Sequence, residues 1–584
     1  MNTKAAMKKL EWWQTAVFYQ IYPRSFADGN GDGIGDLWGI IERLDYLQDL
    51  GIDAIWLSPH FPSPLFDCGY DVADYTGVAP EYGTLDDFAR FLDGAHERDI
   101  RVILDLVMNH TSDQHDWFIE SRSSRDNPKR DWYVWHDGVN GGPPNNWNST
   151  FGGPAWEYDP TTGQYYYHFF FKQQPDLNWR NPKVKQAMWD AVRFWFDLGV
   201  DGFRLDAIGT IFENPDMPDH TSVKSLSELQ HARLTSIISG EEEREHLTAQ
   251  YRKMFRHQVE QPGMHKLVQE LRAVVDEYPD RVLVGETDDI AYHGDGSNEL
   301  HMVFNFPLVR AKRFLPAQVR ANQQERLSAL PPGAWPCNTL GNHDTSRIYS
   351  HYGDGQNNDA IARLSLALML TLRGTPFLYN GEEIGMADLF LENVGQLGDN
   401  LSVWMYHALV EEIGIPPEQA LEIAVRLGRD KCRTPMQWAD APNGGFSPAG
   451  AQTWLPVNAN YAQGVNVAAQ LDDHNSLLHF YRRLLRVRKE TPALIAGDYT
   501  PLHEEAQDYF AFLRSIPPLP SGEGKGTGQS CLVVLNMSGR THTLNLHSIT
   551  PTARQIFSSQ ARREDTDDLT RLQIAPFEIY IAEL

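Results

Sequence analysis

The stretch Gly199–Asp206 reads GVDGFRLD, a short apolar run that carries Arg204 and Asp206 two positions apart. In a β-strand, residues i and i+2 point to the same side. A guanidinium therefore sits beside a carboxylate at the end of the strand. An arginine in that place keeps the carboxylate ionised and aims it, as a nucleophile requires. The pattern upstream, Val184–Leu198, is an amphipathic helix, so a strand follows a helix here.

The same alternation runs through most of the chain. Candidate strands are Val17–Tyr22, Ala54–Leu57, Val102–Val107, Gly202–Leu205, Val282–Gly285, Met302–Phe304, Trp335–Leu340 and Pro376–Tyr379. Helical patterns lie between many of them, including Leu85–Glu97, Met264–Val275 and Ala360–Leu372. Eight strands alternating with helices predict an α/β fold, a parallel barrel with its functional groups at the C-terminal strand ends. Three excursions interrupt it. Thr111–Pro182 is rich in Asn, Gly, Pro, Trp and Tyr and reads as a small subdomain over the barrel mouth. Ile211–Gln261 combines a Pro/Asp segment with a charged helix. Met386–Asp430 includes a predicted helix at Leu401–Ile413. After about Pro492 the pattern changes to short alternating runs at Asp508–Leu513, Cys531–Leu535, His542–Leu546 and Glu578–Ile581, which predict a C-terminal antiparallel β domain. Pro517–Gln529 reads as a flexible, disordered loop.

Bulk composition narrows the function. The 584 residues hold 51 basic and 78 acidic side chains, a net charge of −27, which argues against nucleic acid and anionic membrane as partners. Sixteen Trp, 23 Tyr and 27 Phe supply faces that suit sugar rings, although a large core uses such residues too. The four cysteines, Cys68, Cys337, Cys432 and Cys531, form no CxxC pair and suit reduced thiols. The first residues carry lysines with no apolar segment after them, and no run of 18 apolar residues occurs. These features predict a cytoplasmic protein without a signal peptide or membrane span.

Four further motifs carry chemistry. Asp28–Gly35, DGNGDGIG, has acids among its glycines that would repel a pyrophosphate, so a dinucleotide loop is excluded. Asp28, Asn30, Asp32, the Ile34 carbonyl and Asp36 instead match the first nine positions of a calcium loop. The twelfth position, Gly39, lacks the bidentate acid of an EF-hand. The expectation is one structural Ca²⁺, with Mg²⁺ as the alternative. DLVMNH (105–110) places His110 at the end of strand three. VGE (284–286) ends strand five, and the apolar run before Glu286 marks it as a general-acid candidate. NHD (342–344) ends strand seven, with His343 beside a third carboxyl, Asp344.

In this order DLVMNH, GFRLD, GE and NHD resemble the four sequence regions of the α-amylase family of retaining glycoside hydrolases. GIDAIWLSP (51–59) and GTPFLYNGEEIGM (374–386) resemble two accessory regions. QPDLN (174–178), FGGPAWEYD (151–159) and RTPMQW (433–438) are similar to segments of the oligo-1,6-glucosidase and α-glucosidase subgroup. The resemblance implies a (β/α)8 TIM barrel in residues 1–110 and 183–492, a B subdomain inserted after strand 3 at 111–182, and a C-terminal β domain at 493–584. It implies Asp206 as nucleophile, Glu286 as general acid/base and Asp344 as transition-state stabiliser. It implies that Asp67, Tyr70, His110, Arg204, His343 and Arg433 hold the non-reducing glucose, with Phe151 and Phe170 as aromatic walls. It also implies calcium at the acidic loop.

The expected activity is exo-hydrolysis of short α-glucosides, with transglucosylation. Ala207 departs from the Val typical of 1,6-specific members and points to maltose-like or sucrose-like substrates. A trehalose synthase or sucrose isomerase would share the same chemistry. A non-catalytic relative, like the transporter-associated heavy chains, would have lost the acids that this chain keeps.

Overall fold

The computed structural model describes residues 10–239, 241–311, 313–516, 529–562 and 565–584. Eight parallel strands form the central sheet: β1 (Phe18–Ile21), β2 (Ala54–Leu57), β3 (Arg101–Leu106), β4 (Gly202–Leu205), β5 (Val282–Gly285), β6 (Met302–Val303), β7 (Cys337–Thr339) and β8 (Thr375–Tyr379). Their order, β7-β8-β1-β2-β3-β4-β5-β6, is that of a (β/α)8 barrel. At the seam, the Asn305 amide donates to Asn338 Oδ1 at 3.4 Å, linking the end of β6 to β7.

Side-chain alternation explains the two layers. Phe18, Trp56, Ile103, Val282, Val284 and Phe377 fill the barrel interior, with Phe18 stacked on Phe377 at 4.4 Å. Their neighbours Tyr19, Ile55, Leu104, Phe203 and Leu283 pack outward with the helices. β4 shows the local logic. Gly199, at φ 112°, ends the helix Pro182–Leu198 in a left-handed cap that an L-residue resists. A Cβ on Gly202 would lie 2.3 Å from the Val282 carbonyl oxygen, so only glycine allows β4 to approach β5. Phe203 then packs outward on Phe196 at 5.0 Å, which turns Arg204 inward.

The expected strands and helices are present, with small changes at their ends. Met264–Val275 has the expected bounds, and the predicted helix at 401–413 is an α-helix, Asn400–Ala408, continued by a π-turn, Leu409–Ile413. The segment after β3 contains the helix Asp116–Ser123. It also has an antiparallel sheet of Trp135–His136, Gln164–Tyr167 and Trp156–Asp159. The charged excursion after β4 forms two helices, Leu226–Ser239 and Glu241–Phe255.

The C-terminal sheet is antiparallel and pairs, in order, Asp498–Leu502, Tyr509–Ile516, Gln529–Asn536, Ile579–Glu583, Thr552–Ser558 and Thr566–Asp568. Of the loop expected at Pro517–Gln529, residues 517–528 lie outside the described residues. Among the described residues no helix is long and apolar enough to cross a membrane.

Candidate active site

Strand register brings the central carboxyls together. Asp105 on β3 pairs with Arg204 on β4, and Leu205 pairs with Gly285 on β5. Asp206 and Glu286, each one residue beyond that last pair, therefore leave the barrel side by side. Arg204, 1% exposed, reaches three carboxyls: Nη1 lies 2.7 Å from both Asp105 and Asp206, and Nη2 lies 2.9 Å from Glu286.

The apolar setting expected for Glu286 is not observed. Its Oε2 also accepts the Ala207 N–H at 2.8 Å, because the side chain turns from the strand tip toward β4. Nor does Arg204 serve Asp206 alone. Burial pushes the Asp206 carboxyl well above its usual range; Arg204 pulls it down, while Glu286 and Asp105 push it further up. One guanidinium among three carboxyls leaves a cluster that readily keeps a proton.

Asp344 has the opposite environment. Burial opposes its charge, but His343, Arg433 and Arg429 outweigh burial and hold it below the ordinary carboxylate range. His343 is itself kept neutral by burial, so the two guanidiniums supply the charge. Arg433 Nη2 lies 2.5 Å from Asp344 Oδ1, and Arg429 Nη1 lies 3.8 Å from it. The His343 tautomer follows from its neighbours. Gln20 Nε2, a donor, sits 2.7 Å from Nδ1, so the proton is on Nε2, 2.5 Å from the Tyr70 hydroxyl. Tyr70 in turn donates to Asp105 at 3.2 Å.

A cavity of about 670 Å³ opens over these groups. Its walls include Asp67, Tyr70, His110, Phe151, Phe170, Asp206, Glu286 and Asp344. Phe151 and Phe170 form a tilted pair at 5.2 Å. Of the residues expected to hold the sugar, Arg204, His343 and Arg433 lie behind this wall and bind its carboxylates instead. Asp67 pairs with Arg429, at 2.6 Å, and Gln174 donates to its other oxygen at 3.0 Å. Gln174 Nε2 also lies 2.8 Å from His110 Nε2.

Arg429, Asp399 and Gln20 are not among the residues expected from sequence, and Asp105, read there only as a polar group near the barrel mouth, is the buried partner of Arg204. Arg429 stands four residues before RTPMQW and also binds Asp399 at 2.7 Å. Burial lifts Asp67 despite Arg429, whereas Asp399, whose charge burial also opposes, is held by that arginine at about 2. Arg429 reaches Asp399 through Nε at 3.0 Å and Nη2 at 2.7 Å, and Asp67 through Nη2 alone.

The catalytic-domain model of the alpha amylase family matches residues 20–497. The chain belongs to the α-amylase family. It is 38% identical to an oligo-1,6-glucosidase of Parageobacillus thermoglucosidasius over 98% of this chain and 99% of that protein. It is 42% identical to a probable alpha-glucosidase of Rhizobium meliloti over 86% of this chain and 87% of that protein. Among solved structures, a trehalulose synthase from Pseudomonas mesoacidophila superposes with a TM-score of 0.85 at 36% identity, covering 98% of this chain and 99% of that one. In TIM barrels generally the active site lies at the C-terminal ends of the strands, the end at which this carboxyl cluster lies.

The acidic loop follows β1 and folds on itself. Asp28 accepts the N–H groups of Gly31 and Gly33 at 2.6 and 2.8 Å, Asn30 accepts that of Asp32 at 2.9 Å, and Asp32 accepts that of Ile34 at 2.8 Å. Asp36 accepts from Gly39 at 2.7 Å and caps the helix Leu37–Glu42. Among the described residues no three His, Cys, Asp or Glu side chains converge as a metal-holding group. The donors of the loop are all oxygens, the chemistry that suits a hard cation.

Proposed function

We propose that this enzyme is an exo-acting α-glucosidase that cleaves short α-glucosides through a covalent glucosyl-enzyme. The observation that carries this reading is that one guanidinium, Arg204, binds both Asp206 and Glu286. A single arginine reaches both only if the carboxyls are close. This favours the retaining spacing of about 5–5.5 Å over the wider inverting one. Asp206 attacks the anomeric carbon, and the leaving oxygen takes a proton from Glu286. Water or a second sugar hydroxyl then resolves the intermediate, with Glu286 as base. Asp344, kept anionic by Arg433 and Arg429, stabilises the cationic sugar of the transition state.

The Asp67–Arg429 pair closes the glucose end of the cavity, which supports exo action. Tyr70, His110, Phe151 and Phe170 line the glucose, and Arg204, His343 and Arg433 orient the carboxylates from behind. Ala207 after the nucleophile favours maltose-like or sucrose-like substrates over isomaltose. The likeness to a trehalulose synthase supports a second reading, in which the leaving sugar is retained and rejoined. Incubation with maltose, isomaltose and sucrose, followed by product identification, separates the two. Glucose and transfer products support hydrolysis, a rearranged disaccharide supports isomerisation, and no consumption of any of them refutes both.

The acidic loop is proposed to hold one structural Ca²⁺, with Mg²⁺ as the alternative, through Asp28, Asn30, Asp32, the Ile34 carbonyl and Asp36. Its all-oxygen donor set supports this. All four cysteines are buried free thiols, which supports a reducing, cytoplasmic setting.

A further inference from the structure

Ala207 has a left-handed backbone, φ 41° and ψ 42°, rare for a residue with a side chain. Such a conformation persists where its surroundings over-determine it. The surroundings here are specific. The Ala207 N–H donates to Glu286 Oε2 at 2.8 Å. Its carbonyl accepts from the Thr210 N–H at 3.0 Å and from Thr210 Oγ1 at 2.7 Å. Thr210 Oγ1 also lies 3.1 Å from Oδ1 of Asn109, a fully buried residue beyond β3 that is held by Asp176 at 3.0 Å. The hydroxyl thus lies between two acceptors and donates its one proton chiefly to the nearer, the Ala207 carbonyl, which closes the turn after the nucleophile beside the end of β3, and the turn presents one amide to Glu286.

We propose that Thr210 is a positioning residue for the acid/base: by holding the Ala207 turn, it keeps the Ala207 amide on Glu286 and aligns that carboxyl with the glycosidic oxygen. This rests on the assignment of Asp206 and Glu286 above. In the first step a bond forms from Asp206 to C1. The C1–O bond breaks with its electron pair going to oxygen, and that oxygen takes the proton of Glu286. A fluoride at C1 leaves as the anion and needs no proton. Loss of acid alignment therefore penalises disaccharides and spares the fluoride, whereas a damaged nucleophile penalises both.

The test compares kcat/KM for α-glucosyl fluoride and for the disaccharide that the unmodified enzyme cleaves best. Thr210→Val keeps the shape and removes the hydroxyl. The expected result is a rise of about 10-fold or more in the fluoride-to-disaccharide ratio, reversed in Thr210→Ser. An equal fall on both substrates, an unchanged ratio, or no recovery with serine would overturn the proposal. Failure of the underlying function would show earlier, as an unmodified enzyme that turns over neither compound.

Discussion

Asp67 and Arg429 stand 362 positions apart in the chain and 2.6 Å apart in the fold. Arg429 is also the partner of Asp399, so one buried guanidinium joins the loop after β2 to the segment after β8. Removing it leaves two buried carboxylates uncompensated, which typically costs 3–5 kcal/mol. Arg429→Met should lower stability in urea unfolding by about that amount and raise KM for disaccharides. Unchanged unfolding and KM would show that the pair is incidental.

Acid should weaken the fold in a defined window. Burial opposes ionisation of Asp399, but Arg429 holds it at about 2, below its unfolded value of ~3.9. A depressed folded value means that the stabilisation is complete above the unfolded pKa and is lost as pH falls from ~4 toward the folded value. Asp344 is depressed too and adds to this loss. Asp67, raised by burial, acts in the opposite sense and offsets part of it. Stability followed from pH 5 to 2 should fall through this range in the native enzyme. The fall should be shallower in Arg429→Met.

The carboxyl cluster works against stability. Asp206 is raised, so its ionisation works against folding once the pH exceeds the unfolded value. Asp206→Asn removes that charge while Arg204 keeps Asp105 and Glu286. Hydrolysis of nitrophenyl α-glucoside should drop by about 10³-fold or more. The melting temperature should rise by roughly one or two degrees, given ~2–4 °C per kcal/mol in mid-sized domains. Retained hydrolysis would refute the role of Asp206, and a lower melting temperature would refute the electrostatic argument.

The acidic loop offers a direct metal test. After extensive dialysis, elemental analysis should find about one divalent ion per chain, and a chelator should lower the melting temperature. Absence of both effects would leave Asp28, Asn30, Asp32 and Asp36 as loop-closing hydrogen-bond acceptors only.

The barrel was legible because each strand is a short apolar run and each intervening helix has its own periodicity. Asp206 and Glu286 were legible because a strand end fixes where its next residue points, whereas Asp344 lies five residues past β7 and was legible only through the NHD motif. The settings of those carboxyls were not. Val282–Val284 suggested an apolar cradle for Glu286, yet strand register sets Glu286 beside Asp206, where Arg204 reaches it at 2.9 Å. Arg429 left no local signal, since its partners come from positions 67, 344 and 399. The left-handed turn at Ala207 was equally hidden, because alanine gives no sign of a positive φ.

The central claim is that Asp206 forms a bond to glucose. The most direct measurement is peptide mapping by mass spectrometry after treatment with 5-fluoro-α-glucosyl fluoride, which slows release of the glycosyl-enzyme. The expected result is a fluoroglucosyl group on the peptide containing GVDGFRLD, at Asp206. A label on Glu286 or Asp344, or turnover of the reagent with no labelled carboxylate, would contradict it.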